Sequence, residues 1–243
     1  MTRATRCMHC SSPMLTSPPT ELGPAREIDL ALLISDLSGY TALTETHGAQ
    51  QASETVLRFV RLVETCLEPG VVIVNSIGDD VFCAGAITLA VVRTALRLND
   101  AVRREPEFPR IRTGIHRGLV VEREARLFGA PINLTARLAA HASGGQILCS
   151  EQIASAVRVL ADIEPHSIGE QRFKNVAHPV VVFELVRMSE RRVATAIDPV
   201  CRMQVEVARA IATSAHAGTT YHFCSLKCAG DFAKAPELYV GAG

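Results

Sequence analysis

Leu30-Ala31-Leu32-Leu33-Ile34-Ser35-Asp36-Leu37-Ser38-Gly39-Tyr40-Thr41 reads as a short buried strand that ends on a carboxylate and a glycine turn. A second stretch, Val71-Val72-Ile73-Val74-Asn75-Ser76-Ile77-Gly78-Asp79-Asp80, repeats the plan. Two such strands ending side by side bring Asp36 and Asp79 to one edge of a sheet. Hard oxygen ligands there suit Mg²⁺ or Mn²⁺, and such cations bridge phosphate oxygens. Gly39 and Gly78 let the backbone approach a phosphate and turn its N–H groups inward. The pair therefore reads as a divalent-cation site for a polyphosphate.

Working outward, the order is strand (Ile28 to Ser35), helix (Ala42 to Cys66), strand (Val71 to Asn75), a Gly78-Asp79 turn and strand (Val81 to Cys83). A helix from Ile87 to Arg103 follows, with Ala90, Val91, Thr94, Leu98 and Val102 at helical spacing. Strands at Ile111 to His116 and Leu119 to Arg123 precede a helix with Pro131 in its first turn, where the missing N–H costs little. Strand Gln146 to Cys149, helix Glu151 to Val157 and strand Val180 to Val186 complete a mixed sheet. The class is α+β, a ferredoxin-like βαββαβ core with added strands and helices. Residues 1–25 read as a Cys-containing flexible segment, 26–188 as the core domain, 189–197 as a linker and 198–243 as a small Cys-rich module.

The chain has 243 residues and a formal net charge of zero, which gives no bulk attraction to nucleic acid or membrane. No apolar run approaches the roughly 20 residues of a membrane helix, and Met1 to Pro19 lacks a signal-like stretch, so a cytoplasmic protein is expected. In that compartment the eight cysteines read as metal ligands or buried thiols rather than disulfides. Cys66, Cys83 and Cys149 lie in apolar segments, whereas Cys7 and Cys10 sit at the front and Cys201, Cys224 and Cys228 at the end. His47, His116, His141 and His166 show no metal-ligand spacing and receive no role.

Asp-x-x-Gly-Tyr-Thr followed by Ile-Gly-Asp resembles the class III nucleotidyl cyclases. Phe128-Gly129-Ala130-Pro131-Ile132-Asn133-Leu134-Thr135-Ala136-Arg137-Leu138, then Gly144 to Ser150 and Phe173-Lys174-Asn175-Val176, continue the resemblance in the family's order. The resemblance implies that Asp36 and Asp79 hold two Mg²⁺ or Mn²⁺ ions over a nucleoside triphosphate, with Gly39, Tyr40 and Thr41 as the phosphate-binding turn. It implies that Asn133 orients the ribose and Arg137 stabilises charge on the α-phosphate, both supplied by the partner in a homodimer with composite sites. Lys174 matches a lysine near the triphosphate, and a solvated loop lysine is the equal alternative.

Two positions depart from the family. Asn75 stands where adenylyl cyclases carry a base-reading lysine, and Arg126 where they carry a base-reading aspartate. Arg126 only donates, whereas Asn75 donates or accepts. Swapped roles on adenine, an Arg126 fork on guanine O6 and N7, and no base reading at all remain open. ATP is the favoured substrate and GTP the alternative. A catalytically inactive cyclase-like dimer that binds nucleotide or metal is the rival reading.

Asp198-Pro199-Val200-Cys201-Arg202-Met203 with Tyr221-His222-Phe223-Cys224-Ser225-Leu226-Lys227-Cys228 resembles the YHS domain, a small treble-clef-like module related to TRASH domains. So small a segment needs a staple, and Zn²⁺ or another thiophilic cation on Cys201, Cys224 and Cys228 would supply it. Three thiolates leave a fourth position for water or a side chain such as His222. Arg202 occupies the place of the module's usual glycine. Cys7-Met8-His9-Cys10 is half of a zinc knuckle without a second half nearby.

Overall fold

A run of apolar residues places β1 (Arg26–Leu37) at the centre of the sheet, with Ala31, Leu32 and Leu33 fully buried. The computed structural model describes residues 24–188 and 194–240. After β1 come α1 (Tyr40–Cys66), β2 (Val71–Ile77), β3 (Asp80–Gly85), α2 (Thr88–Arg104), β4 (Phe108–Pro109), β5 (Ile111–Arg123) and β6 (Arg126–Phe128). Then follow α3 (Ala130–His141), β7 (Ile147–Ser150), α4 (Glu151–Val157), β8 (Ile163–Gln171) and β9 (Val180–Arg187). The main sheet runs β2-β3-β1-β5-β7-β9-β8, with β6 paired to β5. Its β5-β1-β3-β2 portion is antiparallel throughout and has α1 and α2 as crossovers, which is the βαββαβ order.

Side chains alternate across β1 and sort the helices into two layers. Leu33 and Leu37 pack with Phe59 and Val63 of α1, Val91 and Leu98 of α2, and Ile153 of α4. Leu32 faces the other way, with Val120 and the half-buried Ile132 of α3. α3 lies tightly on β5: a Cβ on Gly118 would come within 2.7 Å of Pro131, and one on Gly114 within 2.4 Å of the Thr135 carbonyl. Those approaches explain the glycines in β5, which runs as one strand through Arg117-Gly118 where two were expected.

The C-terminal part forms β10 (Thr195–Ile197), β11 (Met203–Glu206), the hairpin β12 (Ala212–His216) and β13 (Thr219–Phe223), then α5 (Leu226–Lys234) and α6 (Glu237–Val240). It is welded to the core, because β11 pairs with both β10 and β4. Arg110 donates to Gln204 at 3.0 Å and to Thr195 at 2.7 Å, and Gln204 donates to the Arg103 carbonyl at 2.9 Å. Its apolar cluster of Val200, Met203, Val205, Phe223 and Phe232 takes in Leu43 of α1, a leucine with no exposed surface. Burying one leucine contributes about 1.5–3 kcal/mol. α1 itself breaks at Gly48 (φ 85°, ψ 163°), so Tyr40–His47 is a two-turn segment packed on the module and separate in direction from the rest of the helix. No helix among the described residues is long and apolar enough to cross a membrane.

Candidate functional site

Asp36 is one residue from the end of β1, and the strand register sets Asp80 on one side of it and Arg112 on the other. The Arg112 guanidinium grips Asp36 with both prongs, Nε to Oδ1 at 2.9 Å and a terminal nitrogen to Oδ2 at 2.6 Å. This two-pronged geometry is the strong form of the ion pair. Asp79 follows Gly78 (φ 59°) in the β2–β3 turn. Burial raises the Asp79 carboxyl above its ordinary value and Asp36 adds to the rise; burial, then Asp36 and Asp79, raise Asp80 in the same way. Three carboxylates against one arginine make a pocket electrostatically short of positive charge. That is the condition in which added cations bind.

Beside this edge, Gly39 takes φ 85° and opens α1 at Tyr40, with Thr41 exposed and no acidic residue in the first turn. The unpaired N–H groups of such a helix start favour anions. Asn75 is exposed on β2, opposite Phe82 and two residues from the Asp36–Asp80 level.

The remaining candidates lie elsewhere on the chain. α3 runs back along β5 with Pro131 over Gly118 and Thr135 over Gly114. Asn133 is therefore about four residues from the level of Arg112, roughly 13 Å along a strand. Asn133 and Arg137 are both exposed and make no side-chain hydrogen bond among the described residues. Arg126 pairs with Arg123 at the far end of β5, roughly 35 Å of strand from Arg112. One chain thus sets Arg126 far from the end that carries Asp36, Asp79, Gly39 to Thr41 and Asn75, whereas Asn133 and Arg137 on α3 lie over the stretch of β5 between Gly118 and Arg112. Lys174 is exposed in the β8–β9 connection, next to Phe173, which meets His141 edge-on at 5.6 Å.

A second centre lies where α1 meets the module. Cys201, Cys224 and Cys228 converge with His47, all four ligand atoms within 4.8 Å of one another. Sulfur separations are 3.4 Å for Cys201–Cys224 and 3.8 Å for Cys224–Cys228; His47 Nε2 is 4.0 Å from Cys224 Sγ and 3.8 Å from Cys228 Sγ. A tetrahedral thiophilic ion needs about 3.8 Å between sulfurs and about 3.5 Å from sulfur to nitrogen, from metal–ligand lengths of about 2.3 and 2.0 Å. The donor set fits such an ion. Asp198, fully buried, positions the cysteines by accepting from the N–H groups of Val200 (2.9 Å), Cys201 (3.4 Å) and Cys224 (2.8 Å).

His47, which showed no metal-ligand spacing in the sequence, joins this cluster, whereas His222, the side chain named beside water for the fourth position, is outside it with its buried Nδ1 unpartnered. Arg202 adopts φ 65°, the left-handed conformation that explains a glycine as the usual residue there. Cys66, Cys83 and Cys149 are buried as expected, and burial pushes the thiols of Cys83 and Cys149 up to about 12. Cys7 and Cys10 lie outside the described residues.

Residues 24–179 match the family model of the adenylate and guanylate cyclase catalytic domain. The chain belongs to that family. Its cyclase-like domain is fused to a Cys/His-rich module, and residues 196–243 match the YHS domain. The pH-sensitive adenylate cyclase of Mycobacterium tuberculosis is 26% identical over 170 residues, covering 69% of this chain and 42% of that protein. The chain thus spans less than half the length of that curated relative. The adenylyl cyclase CyaB of P. aeruginosa superposes with a TM-score of 0.61 at 20% identity, covering 70% of this chain and 100% of that one. An adenylate/guanylate cyclase/hydrolase from Silicibacter pomeroyi gives 0.61 at 26%, covering 67% and 99%. This cyclase-family chain carries the sheet-edge acids and the cysteine centre within a single folded unit.

Proposed function

We propose that this chain is a nucleotidyl cyclase that converts a nucleoside triphosphate, ATP in preference to GTP, into a 3′,5′-cyclic nucleotide and pyrophosphate at the interface of a homodimer. The observation that carries the reading is the convergence of Asp36, Asp79 and Asp80 around the single Arg112 fork at the end of β1, beside the Gly39 turn. Asn133 and Arg137 are exposed on α3 and make no side-chain hydrogen bond among the described residues, which leaves them available to a second copy, and Arg126 lies far from Asp36 within one chain. The face that bears Asp36 supports such pairing, because Val72 is 59% exposed there on the edge strand β2, near the half-buried Val74 and Phe82.

Two Mg²⁺ or Mn²⁺ ions on Asp36 and Asp79 would supply charge neutralisation on the phosphates. The ribose 3′-hydroxyl releases its proton to solvent as its oxygen forms the new bond to the α-phosphorus, and the bond to the bridging oxygen breaks as pyrophosphate leaves with the electron pair. Asp36 must exchange its Arg112 partner for a cation, which leaves the Arg112 fork free to face phosphate oxygens. Gly39, Tyr40 and Thr41 present backbone N–H groups to the triphosphate. Asn133 orients the ribose and Arg137, four residues on, offers its fork to the α-phosphate. Asn75 and Arg126 are the base-facing positions, and Lys174 is a further phosphate contact. The adenylate cyclase relative supports ATP.

Asn75 and Arg126 favour a second reading, an inactive dimer that binds nucleotide and reports on metal. The test is mass-spectrometric detection of cyclic nucleotide after incubation with Mn²⁺ and ATP or GTP, with Asp36→Ala as control. Product that disappears in the variant supports the cyclase. Absence of product with nucleotide still bound favours the inactive dimer, and product persisting in Asp36→Ala refutes the metal assignment.

A further inference from the structure

We propose that His47 of the cyclase core is the fourth ligand of a Zn²⁺-class cation held by Cys201, Cys224 and Cys228, so that one ion clasps the C-terminal module onto the segment that follows the triphosphate loop. Three protein ligands leave a metal open to exchange, whereas four close it, which is the arrangement of structural sites. Here the fourth donor comes from 154 residues before Cys201, on a helix that belongs to the other domain.

The surroundings of His47 show what the clasp would hold. Gly48 interrupts α1 directly after it, so Tyr40–His47 is joined to the cyclase core by a kink at one end and the Ser38-Gly39 turn at the other, with Tyr40 its contact to the core's apolar cluster. That segment packs its Leu43 into the module's apolar cluster, and the Thr46 carbonyl accepts from Lys227 Nζ at 2.9 Å. At its start, the Arg202 side chain rests on Gly39 closely enough that a Cβ on Gly39 would come within 2.4 Å of it. Metal occupancy therefore fixes both ends of the two turns that carry the phosphate-binding N–H groups. Binding of the ion needs nothing from the cyclase chemistry; its effect on turnover rests on the function proposed above.

The test uses the full chain, stripped with chelator and reloaded with Co²⁺ as a spectroscopic stand-in or with Zn²⁺. Wild type should take one Co²⁺ per chain at this centre, with thiolate charge-transfer and tetrahedral ligand-field bands. His47→Ala should shift those bands and weaken binding by at least ~10-fold, the loss that even an outer-shell partner costs. His222→Ala should change neither. Independently of any variant, Zn²⁺ should slow amide hydrogen exchange across Tyr40–His47 in wild type. Unchanged cobalt bands in His47→Ala, or exchange in Tyr40–His47 that ignores Zn²⁺, would overturn the clasp. A cobalt signature with no cyclic nucleotide from any preparation would keep the clasp and refute the cyclase.

Discussion

Replacing Gly39 by Ala tests how intimately the module sits on the glycine turn between β1 and α1. The new Cβ would lie 2.4 Å from Arg202 Cβ and 2.7 Å from Arg202 Cγ, at a backbone φ of +85°. Those atoms are the root of the arginine, so swinging its guanidinium away does not relieve the clash. Forcing an L-residue into the left-handed region costs about 1–2 kcal/mol, and overpacking adds about 1–3 kcal/mol. The sum, ~2–5 kcal/mol, corresponds to roughly 4–20 °C in Tm for a chain of this size. Circular dichroism during urea and thermal unfolding reads it. The decisive comparison is the same substitution in an Arg202→Gly background, where Cβ and Cγ are gone. There Gly39→Ala should cost only the backbone part, so the cycle yields a coupling of ~1–3 kcal/mol. An equal cost in both backgrounds would refute the contact between module and loop.

Asp79→Asn and Asp80→Asn should each stabilise the metal-free protein at neutral pH. Their folded pKa values are raised, so each ionised carboxylate penalises the fold above that value, and the gain should vanish as pH falls below the ordinary carboxylate value of 3.8. Urea titrations at both pH values check the sign; added Mn²⁺ should stabilise Asp80→Asn but not Asp79→Asn. Arg112→Ala leaves Asp36, whose side chain is 14% exposed, without its fork, and should cost ~1–3 kcal/mol in the metal-free state with partial recovery in Mn²⁺. Asp198→Ala orphans three backbone N–H groups around the cysteine centre and should cost at least ~3 kcal/mol. Elemental analysis should find the tightly held thiophilic metal lost from that variant.

Apolar runs and glycine turns made most of the core legible: β1, β2, β3 and the Pro131 helix are where periodicity puts them, within a few residues at the ends. What escaped has physical reasons. β8 is the edge of the sheet, contains Pro165 and Gly169, and is mostly exposed, so it carries neither alternation nor an apolar run. The β5–β6 hairpin turns at Glu124-Ala125, both at positive φ, where the usual Asn-Gly signal is missing. At the sheet edge the acids were legible and their partner was not. Arg112 lies 76 residues beyond Asp36, and only strand register brings them together.

His47 is the sharper case. Metal-ligand spacing identifies ligands that share one short motif, and three of the four here do so or nearly so, whereas the fourth lies in another domain. Its only local mark is Gly48, a poor helix residue in the middle of a helical pattern, whose left-handed φ ends the two turns that carry His47. The same break turns most of that segment from the cyclase core's packing toward the module. Leu43 finds its apolar neighbours in the module, and Phe59 and Val63, beyond the kink, find theirs in the sheet. Tyr40 touches both clusters. The domain boundary in space therefore runs through α1, far from the boundary in sequence. A truncation that removes residues 198–243 would expose Leu43 and free the first two turns of α1, so the cyclase-like core and the module are better regarded as one cooperative unit at the start of α1 than as two independent domains.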